Sequence, residues 1–142
     1  MSDQPIDRAP TRRTVITFGT FDVFHVGHLR VIERAAALGD RLVVGVSADE
    51  LNLRKKGREP VFSQGERLEI VAALKSVDEV FVEESLELKR DYIVQHGADV
   101  LVMGDDWAGR FDEFGDICEV VYLPRTPAIS TTALIEKISA AT

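Results

Sequence analysis

A chain of 142 residues, 45% hydrophobic and 29% charged, has the apolar content for one enclosed core without metal or disulfide support. Its formal charge of −7 excludes broad, sequence-independent binding to nucleic acid, because that binding draws its energy from counterions displaced around many phosphates. No apolar run approaches the roughly 18 residues that a spanning helix needs, so a soluble chain without membrane insertion is expected.

Met1 to Arg13 mixes Pro, Asp, Gln and Arg and reads as a flexible tail without an export signal, ahead of a single domain over residues 14–142. Thr14 to Gly19 is a β-branched apolar run, a predicted strand, and Gly27 to Leu38 carries helical spacing through Leu29, Ile32 and Ala36. Gly39 stands at a usual left-handed C-cap position, and Arg41 to Ser47 reads as a second buried strand. Ser47 and Glu50 have capping-box spacing, which predicts a short helix broken by a loop over Arg54 to Pro60. A second box, Ser63 and Glu66, precedes a helix through Leu74 and then a strand over Val77 to Val82. A helix over Leu86 to His96 and strands over Asp99 to Met103 and Cys118 to Leu123 continue the alternation. The lone Cys118 reads as a buried strand position, which fits a reducing cytoplasm. Strands alternating with helices predict an α/β fold, a parallel sheet with helices on both faces and ligands at the carboxyl ends of its strands.

The segment Gly19-Thr20-Phe21-Asp22-Val23-Phe24-His25-Val26-Gly27-His28 falls at such an end, between the first strand and first helix. Free N–H groups and the helix dipole favour an anion there, Gly27 admits close approach, and two imidazoles can donate to a phosphoryl group. A metal pair is the rival reading of the histidines, but no Cys or third His lies nearby to complete a zinc site. Asp22 suits either the water shell of a metal or a backbone cap. Arg54, Lys55, Lys56 and Arg58 either close over phosphates or form a solvated surface. Arg125, Thr126 and Ser130 offer a guanidinium, hydroxyls and a capped helix start to a triphosphate. Gly104, Asp105, Asp106 and Trp107 lie just past the fourth strand, where acidic groups suit ribose hydroxyls or an amino group and the indole suits a wall or packing.

GTFDVFHVGH resembles the signature of the HxGH nucleotidyltransferases, whose fold is a Rossmann-like α/β sheet. RTPAIST is similar to the string found in cytidylyltransferases. ERAAALGDRLVVGVSADE, KSVDEVFVEE and VLVMGDDWAGRFD resemble the branch that acts on glycerol 3-phosphate. The resemblance implies CMP transfer from CTP to a small phosphorylated alcohol, with Mg2+ on the triphosphate, catalysis by His25, His28 and Arg125, and a homodimer. It implies nucleotide contacts at Gly19, Thr20, Phe21, His25, His28, Gly104, Asp105, Arg125, Ser130 and Thr131. Asp22, Lys55, Arg67, Lys89 and Trp107 correspond to acceptor-side positions, although Arg67 and Lys89 also read as ordinary helical surface residues. Such enzymes make CDP-glycerol for teichoic acid and related polymers. Departures from the pattern are Ala128 in place of glycine, Lys75 in place of arginine, Leu86 in place of an aromatic residue and a basic loop one residue longer. They bear on the acceptor. An adenylyltransferase and a nucleotide-binding regulatory module are the rival readings.

Overall fold

A computed structural model describes residues 12–124 and 130–141, so Arg125 and Ala128 lie outside the described residues. Five strands, β1 (Thr14–Gly19), β2 (Arg41–Ser47), β3 (Glu79–Glu83), β4 (Val100–Gly104) and β5 (Glu119–Leu123), form one parallel sheet in the order β3-β2-β1-β4-β5. Helices α1 (Val26–Ala36), α2 (Asp49–Lys56), α3 (Gln64–Ala72), α4 (Lys89–Gln95) and α5 (Thr131–Ala141) complete the alternation. The α/β reading stands.

Strand alternation sorts the apolar side chains into two cores. Val15, Leu42, Val44, Val46, Val100 and Val102 face one way and pack with Ile32 and Ala35 of α1 and Val71 of α3. Ile16, Phe18, Val43, Leu101 and Met103 face the other way and meet Ile93 of α4 and Phe114. Both faces are therefore covered, as a parallel sheet requires, and each fully buried aliphatic side chain contributes about 1.5–3 kcal/mol. Thr17, a polar residue in the central strand, is satisfied by donating from Oγ1 to the Val102 carbonyl at 2.6 Å.

From β1 the chain builds outward through β2 and β3, then crosses back to place β4 on the other side of β1. Strand order reverses there, which opens a crevice beyond the carboxyl ends of β1 and β4. Gly19 and Gly104 are the last residues of those strands.

Four local expectations change. Ser47 does not cap α2: it stays in β2, its Oγ donates to the Gly19 carbonyl at 3.3 Å, and Ala48 is the N-cap without a side-chain bond. The basic run is helical, with Arg54, Lys55 and Lys56 in the last turn of α2, where cations suit the dipole, and Gly57 closes the helix at φ 74°. Gly39 is not left-handed; a Cβ there would meet the Arg13 carbonyl oxygen at 2.5 Å, so close approach selects glycine. Arg13, assigned to the tail, is held to the domain through its N–H to Asp40 and its guanidinium to the Leu38 carbonyl and Glu119. The second capping box is present, Ser63 and Glu66 each accepting from the other's backbone N–H. Cys118 sits just before β5, half-buried, with burial raising its thiol pKa. Among the described residues no helix is long and apolar enough to cross a membrane.

Candidate active site

The loop from β1 to α1 is built around an aromatic anchor. Phe21 is buried although its φ is 55°, and a Cβ on Gly19 would lie 2.8 Å from its ring, so Gly19 makes room for the anchor. Val23 has φ 48°, a costly conformation for a β-branched residue, so the loop is held by its surroundings rather than by local preference. Asp22 supplies part of that hold. Its Oδ2 accepts from the N–H of Val61 at 2.7 Å, and Oδ1 accepts from those of Phe62 and Val23 at 2.8 and 3.0 Å. Both carboxylate oxygens are occupied by backbone, so Asp22 is a clamp between the loop and the start of α3, although it also lines the crevice.

The two histidines form the capping box of α1. His25 is the N-cap; its Nδ1 accepts from the Gly27 N–H at 3.0 Å, and Nδ1 of His28 accepts from the His25 N–H at 3.2 Å. Each Nδ1 therefore presents a lone pair, which fixes the ring hydrogen on Nε2. The rings lie 3.9 Å apart, and Nε2 of His25 is 3.4 Å from Oγ1 of Thr131, whose hydrogen is donated to the Asp22 carbonyl. Burial, then the neighbouring His25, lower the His28 pKa to about 4, while Asp22 acts in the opposite sense. Burial lowers that of His25 as well. At neutral pH the pair is two uncharged N–H donors, not two cations.

This pair makes stability depend on pH in a defined direction. The unfolded chain protonates His28 near its ordinary pKa of 6.5, the folded chain only near 4. Stability is full above pH 6.5 and falls by up to about 3 kcal/mol as pH drops to 4. Thermal melts between pH 7.5 and 4 should show this slope, and His28→Asn should flatten it; equal slopes would remove His28 as its source.

Two cavities open at the carboxyl end of the sheet. The first, about 370 Å³, is lined by Gly19, Thr20, Phe21, Asp22, His25, His28, Ser130 and Thr131 of the expected residues. Ser130 also accepts from the Ala133 N–H at 3.0 Å and so caps α5. The second, about 270 Å³, is lined by Lys55, Lys89 and Trp107, with Gly19 and Thr20 again. The cavities share Gly19, Thr20, Lys56 and Asp106, so they abut at the end of β1. Gly104, Asp105, Lys75 and Arg67 line neither. Gly104 instead leaves room for Asp106, whose Oδ1 lies 2.7 Å from where a Cβ would stand.

Arg67 is placed differently from a substrate contact. It is fully buried, and its guanidinium donates to the carbonyls of Phe62, Thr20 and Ser47 and to Asp49 Oδ1 at 3.0, 2.9, 2.8 and 2.6 Å. It holds the floor beneath Thr20. Lys89 is buried rather than exposed: Nζ lies 2.7 Å from Glu83 Oε2 and 3.7 Å from the centre of the Phe18 ring. Lys56 and Arg58 of the basic run and Asp106 of the acidic segment also line these walls, and so does Glu83, which the sequence reading does not single out. The signal available for Glu83 was its place at the carboxyl end of a strand.

A family model described as cytidylyltransferase-like matches residues 16–137. The chain is 50% identical over 127 residues to the glycerol-3-phosphate cytidylyltransferase of Bacillus subtilis, covering 89% of this chain and 98% of that one. It is 39% identical to the enzyme of the same name from Staphylococcus aureus, covering 89% and 95%. Among solved structures, the lipopolysaccharide core biosynthesis protein of Thermoplasma volcanium superposes with a TM-score of 0.69 at 24% identity, over 81% of this chain and 98% of that one, a likeness of fold.

Proposed function

We propose that this chain, which belongs to the cytidylyltransferase-like family, transfers CMP from CTP to glycerol 3-phosphate, giving CDP-glycerol and pyrophosphate. The observation that carries the reading is the abutment of a histidine-lined cavity and a lysine-lined cavity at the end of β1. One suits a triphosphate and the other a small phosphate ester, with the reacting atoms at the shared wall.

An oxygen of the acceptor phosphate attacks the α-phosphorus of CTP in line. The new P–O bond forms as the bond to the pyrophosphate oxygen breaks, and the leaving group departs opposite. The acceptor oxygen is already ionised at neutral pH, so no base is required. The Nε2–H groups of His25 and His28 donate to the α-phosphoryl oxygens, where negative charge concentrates. Because the rings are neutral, they stabilise that charge without a competing proton transfer. Lys56 at the shared wall and Lys55 beside it offset the repulsion between the two anions. Arg125, Ser130 and Thr131 are assigned to the triphosphate by the family resemblance.

Among the described residues no three His, Cys, Asp or Glu side chains come together as a metal set, and both Asp22 oxygens are engaged by backbone. Magnesium enters the proposal through the family resemblance, as part of the nucleotide substrate, carried on its phosphates. A homodimer in a reducing cytoplasm completes the proposal, resting on the family resemblance and the lone Cys118.

The test is pyrophosphate release, followed with pyrophosphatase, from CTP, magnesium and glycerol 3-phosphate, with CDP-glycerol confirmed by mass. Release that needs the acceptor and fails with ATP is the expected result. Turnover only with ATP or only with another phosphorylated alcohol would overturn the substrate assignment, and CTP binding without any turnover would favour a regulatory module.

A further inference from the structure

Glu83 has no part in the mechanism above, yet it is the most deeply placed charge in the second cavity. It ends β3, is 1% exposed, and gives one carboxylate oxygen to the Lys89 ammonium at 2.7 Å. Its other oxygen has no hydrogen-bond partner among the described residues, although a buried acceptor left without a donor costs about 1–3 kcal/mol. The cavity it lines, about 270 Å³, has Trp107 and Phe111 as apolar walls and Lys55 and Lys56 toward the first cavity. Within the pair the charges of Glu83 and Lys89 cancel. The pocket's net positive charge therefore comes from Lys55 and Lys56, partly offset by Asp106, and a phosphate is drawn toward the two lysines.

We propose that Glu83 is the specificity-determining residue for the acceptor, its free oxygen accepting hydrogen bonds from the hydroxyl groups of a polyol phosphate. The inference rests on the functional reading above and deepens it. With the hydroxyl end held at Glu83, the phosphate end is left at the lysines and the shared wall, within reach of the nucleotide. A site built to bond a hydroxyl rejects an analogue lacking it strongly, because the buried acceptor then stays unpaired.

The experiment compares kcat/KM for glycerol 3-phosphate and n-propyl phosphate, which has the same chain length and charge without hydroxyls, in the wild-type protein and in Glu83→Gln. Wild-type protein should prefer glycerol 3-phosphate by more than about 10²-fold, and Glu83→Gln should reduce that preference at least about tenfold while KM for CTP stays unchanged. An unchanged ratio, including an equal fall for both acceptors, would mean that Glu83 only holds Lys89, and would overturn the proposal. Should the variant not fold, a crystal structure of the wild-type protein with glycerol 3-phosphate decides: a hydroxyl within hydrogen-bond distance of the Glu83 carboxylate supports the proposal, and hydroxyls bound elsewhere overturn it. Absence of CMP transfer to glycerol 3-phosphate by the wild-type protein would instead sink the functional reading, and this inference with it.

Discussion

His28→Asn should lower kcat by about 10²- to 10³-fold at saturating CTP and acceptor, while moving the melting temperature by only a few degrees. The separation of the two effects follows from the two ends of the imidazole. Nδ1 does structural work, accepting the His25 N–H at the start of α1, and the amide oxygen of asparagine sits close enough to that position to replace it. Nε2 does chemical work, and asparagine has no donor that reaches as far. Loss of one preorganised donor to a developing phosphoryl charge costs about 2.7–4 kcal/mol of transition-state stabilisation. His28→Ala removes both functions, so it should lose the same activity and about 1 kcal/mol of stability besides. Steady-state kinetics beside thermal melts at pH 7.5 checks both. Wild-type kcat in the asparagine variant would show that the ring serves the cap alone.

The sequence made some of this site legible and hid the rest for identifiable reasons. Local pattern sufficed where local physics decides: β1 and β2 have the bounds read from their apolar runs, and Ser63 with Glu66 closes its box as the spacing predicts. The same spacing failed at Ser47, because the last residue of a central strand keeps its place in the sheet and cannot also turn out to cap a helix. The basic run read as a loop because its residues are polar, yet α2 continues through it, with the cations at the favourable end of the helix dipole. Lys89 and Glu83, six positions apart, look like surface charges in sequence. Their burial depends on the turn Leu86–Leu88 folding α4 back over β3, which no local pattern records. The histidines were legible as an anion site, but their tautomer was not, since it depends on which backbone N–H each ring accepts.

Arg67→Met should destabilise the protein by about 3–5 kcal/mol and lower its melting temperature by about 10 °C or more. Four acceptors lose the guanidinium at once: the carbonyls of Thr20 and Phe62, that of Ser47, which keeps a 3.5 Å contact from the Asn52 amide, and the carboxylate of Asp49, which keeps the Gln64 N–H. The Asp49 side chain is 36% exposed, so water can recover part of its loss, which argues for the lower end of the range. The carbonyl of Thr20 has less recourse, because it lies where the crevice loop leaves the end of β1. Arg67→Lys should lose nearly as much, since an ammonium on a shorter reach cannot serve a planar fan of acceptors. Kinetics then distinguishes this role from the substrate contact that the family resemblance implies. An arginine touching the acceptor would raise its KM in the variant and leave the melting temperature alone. An arginine holding Thr20, which lines both cavities, should cost stability first, and at temperatures where the variant is folded it should weaken CTP and acceptor together. A stable Arg67→Met protein with only the acceptor KM raised would reverse this assignment and return the residue to the acceptor's binding site.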